Sequence, residues 1–316
     1  MDIPVYVFTG LLESGKTTFM KEVIENEGFL EGNGTTAMLI TEQGETKFGE
    51  AFLIKHNIAA EIIEKKEEMT PLLWKRMEMM NKPKAIVIEY NGMWELDALW
   101  NSGTPDHWYL AGIYSTVNGE TIEMYCQNMR KIFMEPLKMS DMILINRCDE
   151  SIDRQKYRRS FKALNPQVQV AFERPDGTMY PNQREELPFD VSGDRVVIDD
   201  MDYGLWFIDA QDAPGRYIGK EIEFTAKYCA SQDKNIKLFV PGRHIMTCCE
   251  EDIQFLGFAC KFEGEEKFKH GDWVRVVATF DYGPCEVYGP GEEGPVLTLV
   301  SIKGVPKPEQ ELVSFT

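Results

Sequence analysis

Short runs of apolar residues recur along the first half of the chain, separated by stretches in which apolar residues have helical spacing. Runs of four or five consecutive apolar side chains are typical of strands buried on both faces of a sheet. The predicted strands lie at residues 5–8, 36–40, 85–88, 113–117, 142–145 and 168–172. Because these strands alternate with helices, we predict an α/β fold over residues 1–174, with a mostly parallel, doubly wound sheet.

Several helices of this half have recognisable beginnings. Thr70 followed by Pro71 predicts a helix capped by the threonine hydroxyl, with the proline in its first turn. A single helix is predicted from residue 120 to about residue 134. Beyond residue 203 the helical pattern becomes scarce.

In the second half the apolar residues alternate with polar ones, which is the period of a strand with one buried face. The alternating runs lie at residues 222–227, 236–240, 273–280 and 296–302. They predict a small antiparallel barrel or sandwich over residues 204–316. Proline, glycine and aspartate crowd together at residues 175–203, which predicts a linker or a long surface loop between the two domains.

The loop at residues 10–18 follows the first predicted strand and precedes a helix. Its sequence, Gly-Leu-Leu-Glu-Ser-Gly-Lys-Thr-Thr, fits the pattern G-x-x-x-x-G-K-[ST] of a phosphate-binding loop, and so predicts a P-loop NTPase-type sheet. Backbone N–H groups of such a loop surround phosphates at a helix N-terminus. The pattern assigns Lys16 to the outer phosphates and Thr17 to Mg²⁺. The other predicted nucleotide contacts of the loop are Gly10, Glu13, Ser14, Gly15 and Thr18.

A second polar segment, Asn146-Arg-Cys-Asp149, follows the strand at residues 142–145. It resembles the N-K-x-D element of GTPases, in which the aspartate carboxylate accepts two N–H bonds from the edge of guanine. Adenine lacks this pair of donors, so Asp149 predicts GTP and GDP as the ligands. Arg147 replaces the usual lysine and has a wider, planar head, which is expected to change the affinity. A polar strand end without a binding role is the alternative.

Two more polar clusters, at residues 41–45 and 89–92, also follow buried strands. The carboxyl ends of parallel strands meet at one edge of a sheet, where ligands of such folds bind. Glu89 is the strongest candidate for organising Mg²⁺ or for orienting the attacking water. Glu42 or Glu45 is a candidate for approaching the metal when their segment orders around the γ-phosphate. The alternative for these carboxylates is that they are ordinary polar residues after a strand.

Together, the loop and the segments at 42–45, 89–92 and 146–149 make residues 1–172 similar to the CobW-type GTPase family. Many members of that family are metallochaperones or metal-insertion factors. The resemblance implies Lys16 and Glu89 as catalytic residues and hydrolysis of GTP to GDP and phosphate. It also implies that nucleotide state is coupled to the delivery of a metal, zinc in our hypothesis, to a client protein or metalloprotein.

Two departures from the family pattern change this expectation. Residues 46–84 contain no cysteine, although family members usually carry a C-x-C-C metal motif there. Glu13 stands where the family typically has glycine, and its carboxylate would repel the outer phosphates unless it is turned outward or paired. Hydrolysis is therefore expected to be slow or dependent on a partner. The second hypothesis is a nucleotide-gated binding module or scaffold with vestigial hydrolysis.

The last part of the chain, from about residue 206, resembles the C-terminal domain of YcgQ-type proteins. The segments that carry the resemblance are residues 241–249, 252–258 and 271–275. It implies a small β-fold of the OB-like barrel type. His244, Cys248 and Cys249 offer an imidazole and two thiols, which suit Zn²⁺. Adjacent cysteines on a strand point to opposite faces, so core thiols without a metal are the alternative.

Composition limits the partners. The 316 residues carry 52 Asp and Glu against 34 Lys and Arg, a net charge of −18. Such a surface repels a phosphate backbone, so no nucleic-acid partner is expected, which disfavours an OB-like oligonucleotide binder. Seven cysteines, no secretory signal and no apolar stretch of about 18 residues predict a cytoplasmic protein without a membrane span. The client and the oligomeric state, a homodimer included, are left open.

Overall fold

The computed structural model describes residues 2–26, 29–30, 34–181, 187–231, 237–246, 253–264, 267–288 and 292–314. The chain folds as two compact units. Residues 1–154 and 167–182 form the first unit, and residues 155–166 and 183–316 form the second. Among the described residues, no helix is long and apolar enough to cross a membrane.

The first unit is built on seven parallel strands. They are β1 Ile3–Thr9, β2 Thr36–Ile40, β3 Ile58–Ile62, β4 Ala85–Glu89, β5 Trp108–Asn118, β6 Met142–Asn146 and β7 Gln169–Phe172. Their order in the sheet is β3-β2-β4-β1-β5-β6-β7, and every neighbouring pair is parallel. The predicted α/β fold with a parallel, doubly wound sheet is confirmed.

Helices connect these strands. Those of the first unit are α1 Lys16–Glu25, α2 Glu50–Lys55, α3 Pro71–Asn81, α4 Asp97–Trp100, α5 Ile122–Asn128 and α6 Arg130–Lys138, with a 3₁₀ turn at Lys66–Glu68. Helix α7, Arg154–Leu164, follows β6 in the chain, and its residues from 155 onward belong to the second unit. Alternate residues of β1 point to opposite faces. Val7 packs in one cluster with Trp74 of α3, and Phe8 packs in the other with Met20 of α1.

The helix boundaries agree with the sequence in one case and differ in another. The hydroxyl of Thr70 accepts a hydrogen bond from the Leu73 amide at 3.4 Å, and Pro71 is the first residue of α3, as predicted. The helix predicted from residue 120 to about residue 134 is instead two helices. They meet at Met129, whose φ of −135° and ψ of 29° are not helical.

The second unit is a barrel with additional elements at its margins. Its elements are β8 Arg195–Val197, α8 Tyr203–Asp212, β9 Glu221–Ala230, β10 Leu238–Met246, β11 Ile253–Gly257, β12 Ala259–Lys261, β13 Trp273–Pro284, β14 Glu293–Gly304 and β15 Leu312–Ser314, with 3₁₀ turns at Pro214–Arg216 and Glu286–Tyr288. Five strands close on themselves in the order β9-β10-β12-β14-β13-β9. Only the β12–β14 pair in this ring is parallel. The predicted OB-like barrel is confirmed.

Helix α8 was not predicted. Its buried residues include Tyr203, Trp206 and Phe207, and Trp206 packs against Phe224 and Phe258 of the barrel. A helix that is buried on nearly all sides has no polar face, so it lacks the stripe by which sequence periodicity reveals a helix.

Candidate functional site

The carboxyl ends of β1, β2, β4 and β6 bring the four polar segments of the first unit to one edge of its sheet. A cleft opens at this edge. It is lined by Leu12, Glu13, Gly15, Lys16, Thr17, Thr18, Glu42, Gly44, Thr46, Glu89 and Arg147. The edge is where folds of this kind bind their ligands, because the strand order reverses around the first strand.

Two glycines give the loop at residues 10–18 its shape. Gly10 has a φ of +137°, and a Cβ atom there would lie 2.4 Å from the Thr116 carbonyl oxygen. Gly15 has a φ of +96°, and a Cβ atom there would lie 2.4 Å from the side-chain nitrogen of Asn146. Gly15 is also the N-cap residue of α1, and because glycine has no side chain, no side-chain hydrogen bond covers the start of the helix. The loop can therefore pass close to a ligand at the N-terminus of α1.

Lys16 is buried beneath the loop, with 4% of its side chain exposed. Its Nζ donates to the carbonyl oxygens of Gly10 and Leu11, both at 2.9 Å. The third contact is an ion pair with Glu42, whose Oε2 lies 2.7 Å from the lysine Nζ. The lysine charge thus faces the cleft, and a carboxylate from the 41–45 segment is its present partner.

Thr17 and Glu89 form an oxygen pair at the floor of the cleft. The Thr17 hydroxyl donates to Oε1 of Glu89 at 2.5 Å, and both residues are buried. Burial raises the pKa of the Glu89 carboxyl above its usual range, whereas the Thr17 hydrogen bond and the Lys16 charge oppose this rise. Hydroxyl and carboxylate oxygens are ligands that Mg²⁺ accepts, so the donor set fits this ion.

Glu13 lines the cleft, and its carboxylate is hydrogen-bonded to the segment at residues 41–45. Its backbone is left-handed, with a φ of +60°. Its Oε1 accepts a hydrogen bond from the backbone N–H of Glu45 at 3.1 Å. Gly44 permits this approach, because a Cβ atom at that position would lie 2.8 Å from the same oxygen. The carboxylate is therefore paired with the 41–45 segment.

The segment after β6 is tied to the loop by two side chains. Asn146 donates from Nδ2 to the Ser14 carbonyl oxygen at 2.7 Å. Arg147, with a φ of +53°, donates from Nη1 to the Glu13 carbonyl oxygen at 3.1 Å. Ser14 is held on its other side by Thr116, whose hydroxyl lies 2.7 Å from the Ser14 hydroxyl. The loop and the Asn146–Asp149 segment therefore form one connected structure.

Asp149 lies at the outer end of this segment, exposed to solvent. Its Oδ1 accepts hydrogen bonds from the Ser151 backbone N–H at 2.8 Å and from the Ser151 hydroxyl at 2.5 Å. These bonds lower the pKa of the Asp149 carboxyl, mainly through the hydroxyl. The side chain is therefore ionised at neutral pH and can accept N–H donors.

Sequence reasoning missed a stack of side chains beside this segment. The Tyr180 ring lies between two guanidinium groups, with 4.0 Å to Arg154 and 3.9 Å to Arg174. Its hydroxyl donates to the Cys148 carbonyl oxygen at 3.1 Å. Through this hydrogen bond the stack holds the chain at Cys148. No local pattern reveals the contacts of Tyr180 with Arg154 and Cys148, because these residues lie 26 and 32 positions away along the chain.

Of the zinc ligands predicted in the second unit, His244 lies among the described residues. His244 lies on β10 with its ring 5.2 Å from that of Phe255, and burial lowers the pKa of its imidazole. Cys248 and Cys249 lie outside the described residues. Within the part of the chain that the structure describes, no group of three His, Cys, Asp or Glu side chains is arranged to hold a metal ion.

The fold and the cleft define a P-loop nucleotide-binding protein. Residues 4–172 match the model of the CobW/HypB/UreG nucleotide-binding domain, which is more than half of the chain. The chain therefore belongs to the CobW/HypB/UreG family. Residues 176–314 match the DUF1980 C-terminal domain. Both predicted resemblances are confirmed.

Solved structures with a similar fold include two of the YjiA GTPase. A Zn(II)-bound triple mutant is 20% identical over 54% of this chain and 57% of that chain, with a TM-score of 0.42. This chain thus spans less than two thirds of the mutant's length. Zn(II)-bound YjiA from E. coli is 16% identical over 73% of this chain and 74% of its own, with a TM-score of 0.43.

A third structure is the hydrogenase maturation factor HypB from Archaeoglobus fulgidus. It is 17% identical over 56% of this chain and 84% of that chain, with a TM-score of 0.41. A comparison with curated protein sequences gives no match. At these identities and TM-scores the solved structures say nothing about the reaction that this protein carries out.

Proposed function

We propose that the protein is a GTPase that binds GTP with Mg²⁺ in the cleft and hydrolyses it to GDP and phosphate. One observation carries the proposal. The phosphate-binding loop and the Asn146–Asp149 segment are joined by hydrogen bonds from Asn146 to Ser14 and from Arg147 to Glu13. A ligand that spans both must have a phosphate chain at one end and a group with paired N–H donors at the other.

The phosphate end of the ligand would be held by the loop. Lys16 would contact the outer phosphates after exchanging its carboxylate partner, Glu42, for phosphate oxygens. Thr17 and Glu89 would hold Mg²⁺, which, when bound, neutralises charge on the phosphate oxygens. Glu89 would also orient the attacking water. The remaining loop residues, Gly10, Ser14, Gly15 and Thr18, would supply backbone N–H groups or the helix start.

The base end of the ligand would be selected by Asp149. Its carboxylate is exposed and is kept ionised by the bonds from Ser151. An ionised carboxylate accepts both N–H donors of guanine, whereas adenine offers no such pair. The Oδ1 atom of Asn146 is buried and has no partner within the described residues, which leaves it available to a ligand.

We further propose that nucleotide state controls a metal-related client, with zinc as the metal. Membership of the CobW/HypB/UreG family supports a role connected with metals. The ligand set His244, Cys248 and Cys249 stays a prediction. So do a client protein, a homodimer and a cytoplasmic location.

One observation favours a second candidate, a nucleotide-gated binding module or scaffold with vestigial hydrolysis. Lys16 and the N–H of Glu45, which a triphosphate would need, are both engaged by carboxylates of the protein. Such contacts compete with the ligand and would slow catalysis.

Single-turnover hydrolysis separates the two candidates. Excess protein is mixed with GTP and Mg²⁺, and phosphate release is followed against protein-free solution. The GTPase proposal predicts that the wild type releases phosphate well above the protein-free background. It predicts that Lys16→Ala releases phosphate only at the background rate. Release at background for both proteins, with GTP still bound by the wild type, would favour the scaffold.

A further inference from the structure

The phosphate-binding loop and the segment at residues 41–46, here called the switch segment, hold each other by crossed contacts. Glu42 of the switch segment reaches Lys16 of the loop, at 2.7 Å. Glu13 of the loop reaches the backbone N–H of Glu45 in the switch segment, at 3.1 Å. We call these two contacts the latch. In one contact the carboxylate comes from the switch segment, and in the other it comes from the loop.

The switch segment is anchored on both sides of the latch. On its N-terminal side, Thr41 donates through its backbone N–H and its hydroxyl to the Glu89 carbonyl oxygen, at 3.0 and 3.1 Å. On its C-terminal side, Lys21 of α1 donates to the Lys47 carbonyl oxygen at 2.8 Å. Residues 42–46 therefore lie between two anchoring contacts, and the latch contacts are made at Glu42 and Glu45.

Each latch contact uses a group that a nucleoside triphosphate would use. Lys16 is the loop residue assigned to the outer phosphates. Backbone N–H groups of a segment that covers the phosphate site are ordinary donors to a γ-phosphate. In the latch, the Glu42 and Glu13 carboxylates receive these donors instead. The latch thus places the protein's own anions where the outermost phosphate of the ligand would make its contacts.

We propose that Glu13 is a positioning residue that holds the switch segment over the cleft in the nucleotide-free protein and yields to the γ-phosphate of GTP. The inference rests on the proposed function. GDP lacks the outermost phosphate and leaves the contact of Glu13 with Glu45 in place. GTP brings negative charge beside the Glu13 carboxylate, which breaks that contact and lets the Glu45 amide donate to the γ-phosphate instead. The glutamate that replaces the family glycine therefore makes the segment respond to the third phosphate.

Two variants separate the hydrogen bond of Glu13 from its charge. Glu13→Asn keeps a residue that tolerates the left-handed backbone, but its side chain is too short to reach the Glu45 amide. Glu13→Gln keeps the reach and an acceptor oxygen but removes the charge. Glu50→Gln is the matched control, because Glu50 is an exposed carboxylate at the start of α2, beyond the switch segment.

The first measurement is amide hydrogen exchange of a peptide covering residues 41–47 in the nucleotide-free protein. We expect about tenfold faster exchange in Glu13→Asn, because a hydrogen bond to a charged acceptor is lost. Glu50→Gln should exchange as the wild type does. Unchanged exchange in Glu13→Asn would overturn the latch, whatever the protein binds.

The second measurement is the affinity for GTPγS and for GDP by calorimetry. Glu13→Asn and Glu13→Gln should both bind GTPγS about tenfold more tightly, with less than a twofold change for GDP. Equal changes for the two nucleotides, or no change, would overturn the inference while leaving the proposed function intact. A wild-type protein that binds neither nucleotide would instead refute the proposed function, and the exchange measurement would still decide whether the latch exists.

Discussion

The two units of the molecule use buried charge in opposite ways. In the first unit, Lys16 and Glu89 are almost fully buried beside an open cleft, and their partners include Glu42 and the Thr17 hydroxyl. In the second unit, Arg243 of β10 is fully buried. It donates to the Asp200 carboxylate at 2.8 Å and to the Gln310 carbonyl oxygen.

The difference lies in whether the partners can be exchanged. Arg243 joins β10 to segments that are 43 and 67 residues away in the chain, and its guanidinium also lies 5.0 Å from the Trp273 ring. These partners are parts of the fold, so the contacts are structural. Glu42 is a side chain that lines a cleft, and in our proposal a phosphate takes its place. Burial of charge alone therefore does not identify a binding site; the proposed exchange of the partner is what distinguishes Lys16 from Arg243.

The largest effect that we expect from the contrast between Arg243 and Lys16 is a loss of stability when Arg243 is replaced. Arg243→Met should lower the free energy of unfolding by about 2 kcal/mol, because it removes the hydrogen bonds that a fully buried guanidinium makes to Asp200 and Gln310. Denaturation in urea measures the change. Affinity for GTP should be unchanged, since the contacts of Arg243 given above all lie in the second unit.

Arg195→Met is the matched control for this prediction. Arg195 pairs with Glu221 in the same unit, but half of its side chain is exposed. Exposed ion pairs contribute little, so its removal should leave the urea midpoint unchanged. Equal losses in the two variants would contradict the structural role assigned to Arg243.

A smaller effect concerns the pH dependence of metal binding. Burial raises the pKa of the Glu89 carboxyl above its ordinary value of 4.5. Without a ligand this carboxyl therefore keeps its proton at pH values at which a free carboxyl has lost it. A bound cation requires the carboxylate. Affinity for Mg²⁺ with GTP should therefore rise with pH through this window, by up to about tenfold per pH unit, and level off above it.

Calorimetry in two buffers of different ionisation enthalpy tests this directly. Binding of Mg²⁺ with GTP should release more protons from the wild type within the window than from Glu89→Gln, in which only the γ-phosphate of GTP gives up a proton. Stability without ligand has the matching sign: it should fall as pH rises through the window, because the folded protein holds a proton that the unfolded chain gives up. Equal proton release by the wild type and Glu89→Gln would contradict the account of Glu89.

Much of this contrast could be predicted from the sequence. The strands of the first unit are short apolar runs, such as 36–40, whose bounds agree with the structure. The four polar segments stand directly after such runs, so their meeting at one edge follows from parallel topology. The alternating runs of the second unit likewise predicted its barrel.

The features that the sequence did not predict depend on contacts between residues that are distant along the chain. Helix α8 has no polar face and so no periodic signal. The pairing of Glu13 with the Glu45 amide joins residues 32 positions apart, and that of Arg243 with Asp200 joins residues 43 apart. Neither pair has a local pattern, because tertiary packing determines which acceptor meets which donor.

The central claim is that the cleft of the first unit binds guanine nucleotides through Lys16 and Asp149. The most direct test is calorimetric titration of the wild type, Lys16→Ala and Asp149→Asn with GTP and with ATP, in the presence of Mg²⁺. The account predicts that the wild type prefers GTP, that Asp149→Asn loses this preference, and that Lys16→Ala binds neither nucleotide. ATP bound by the wild type as tightly as GTP, or GTP affinity retained in Lys16→Ala, would contradict it.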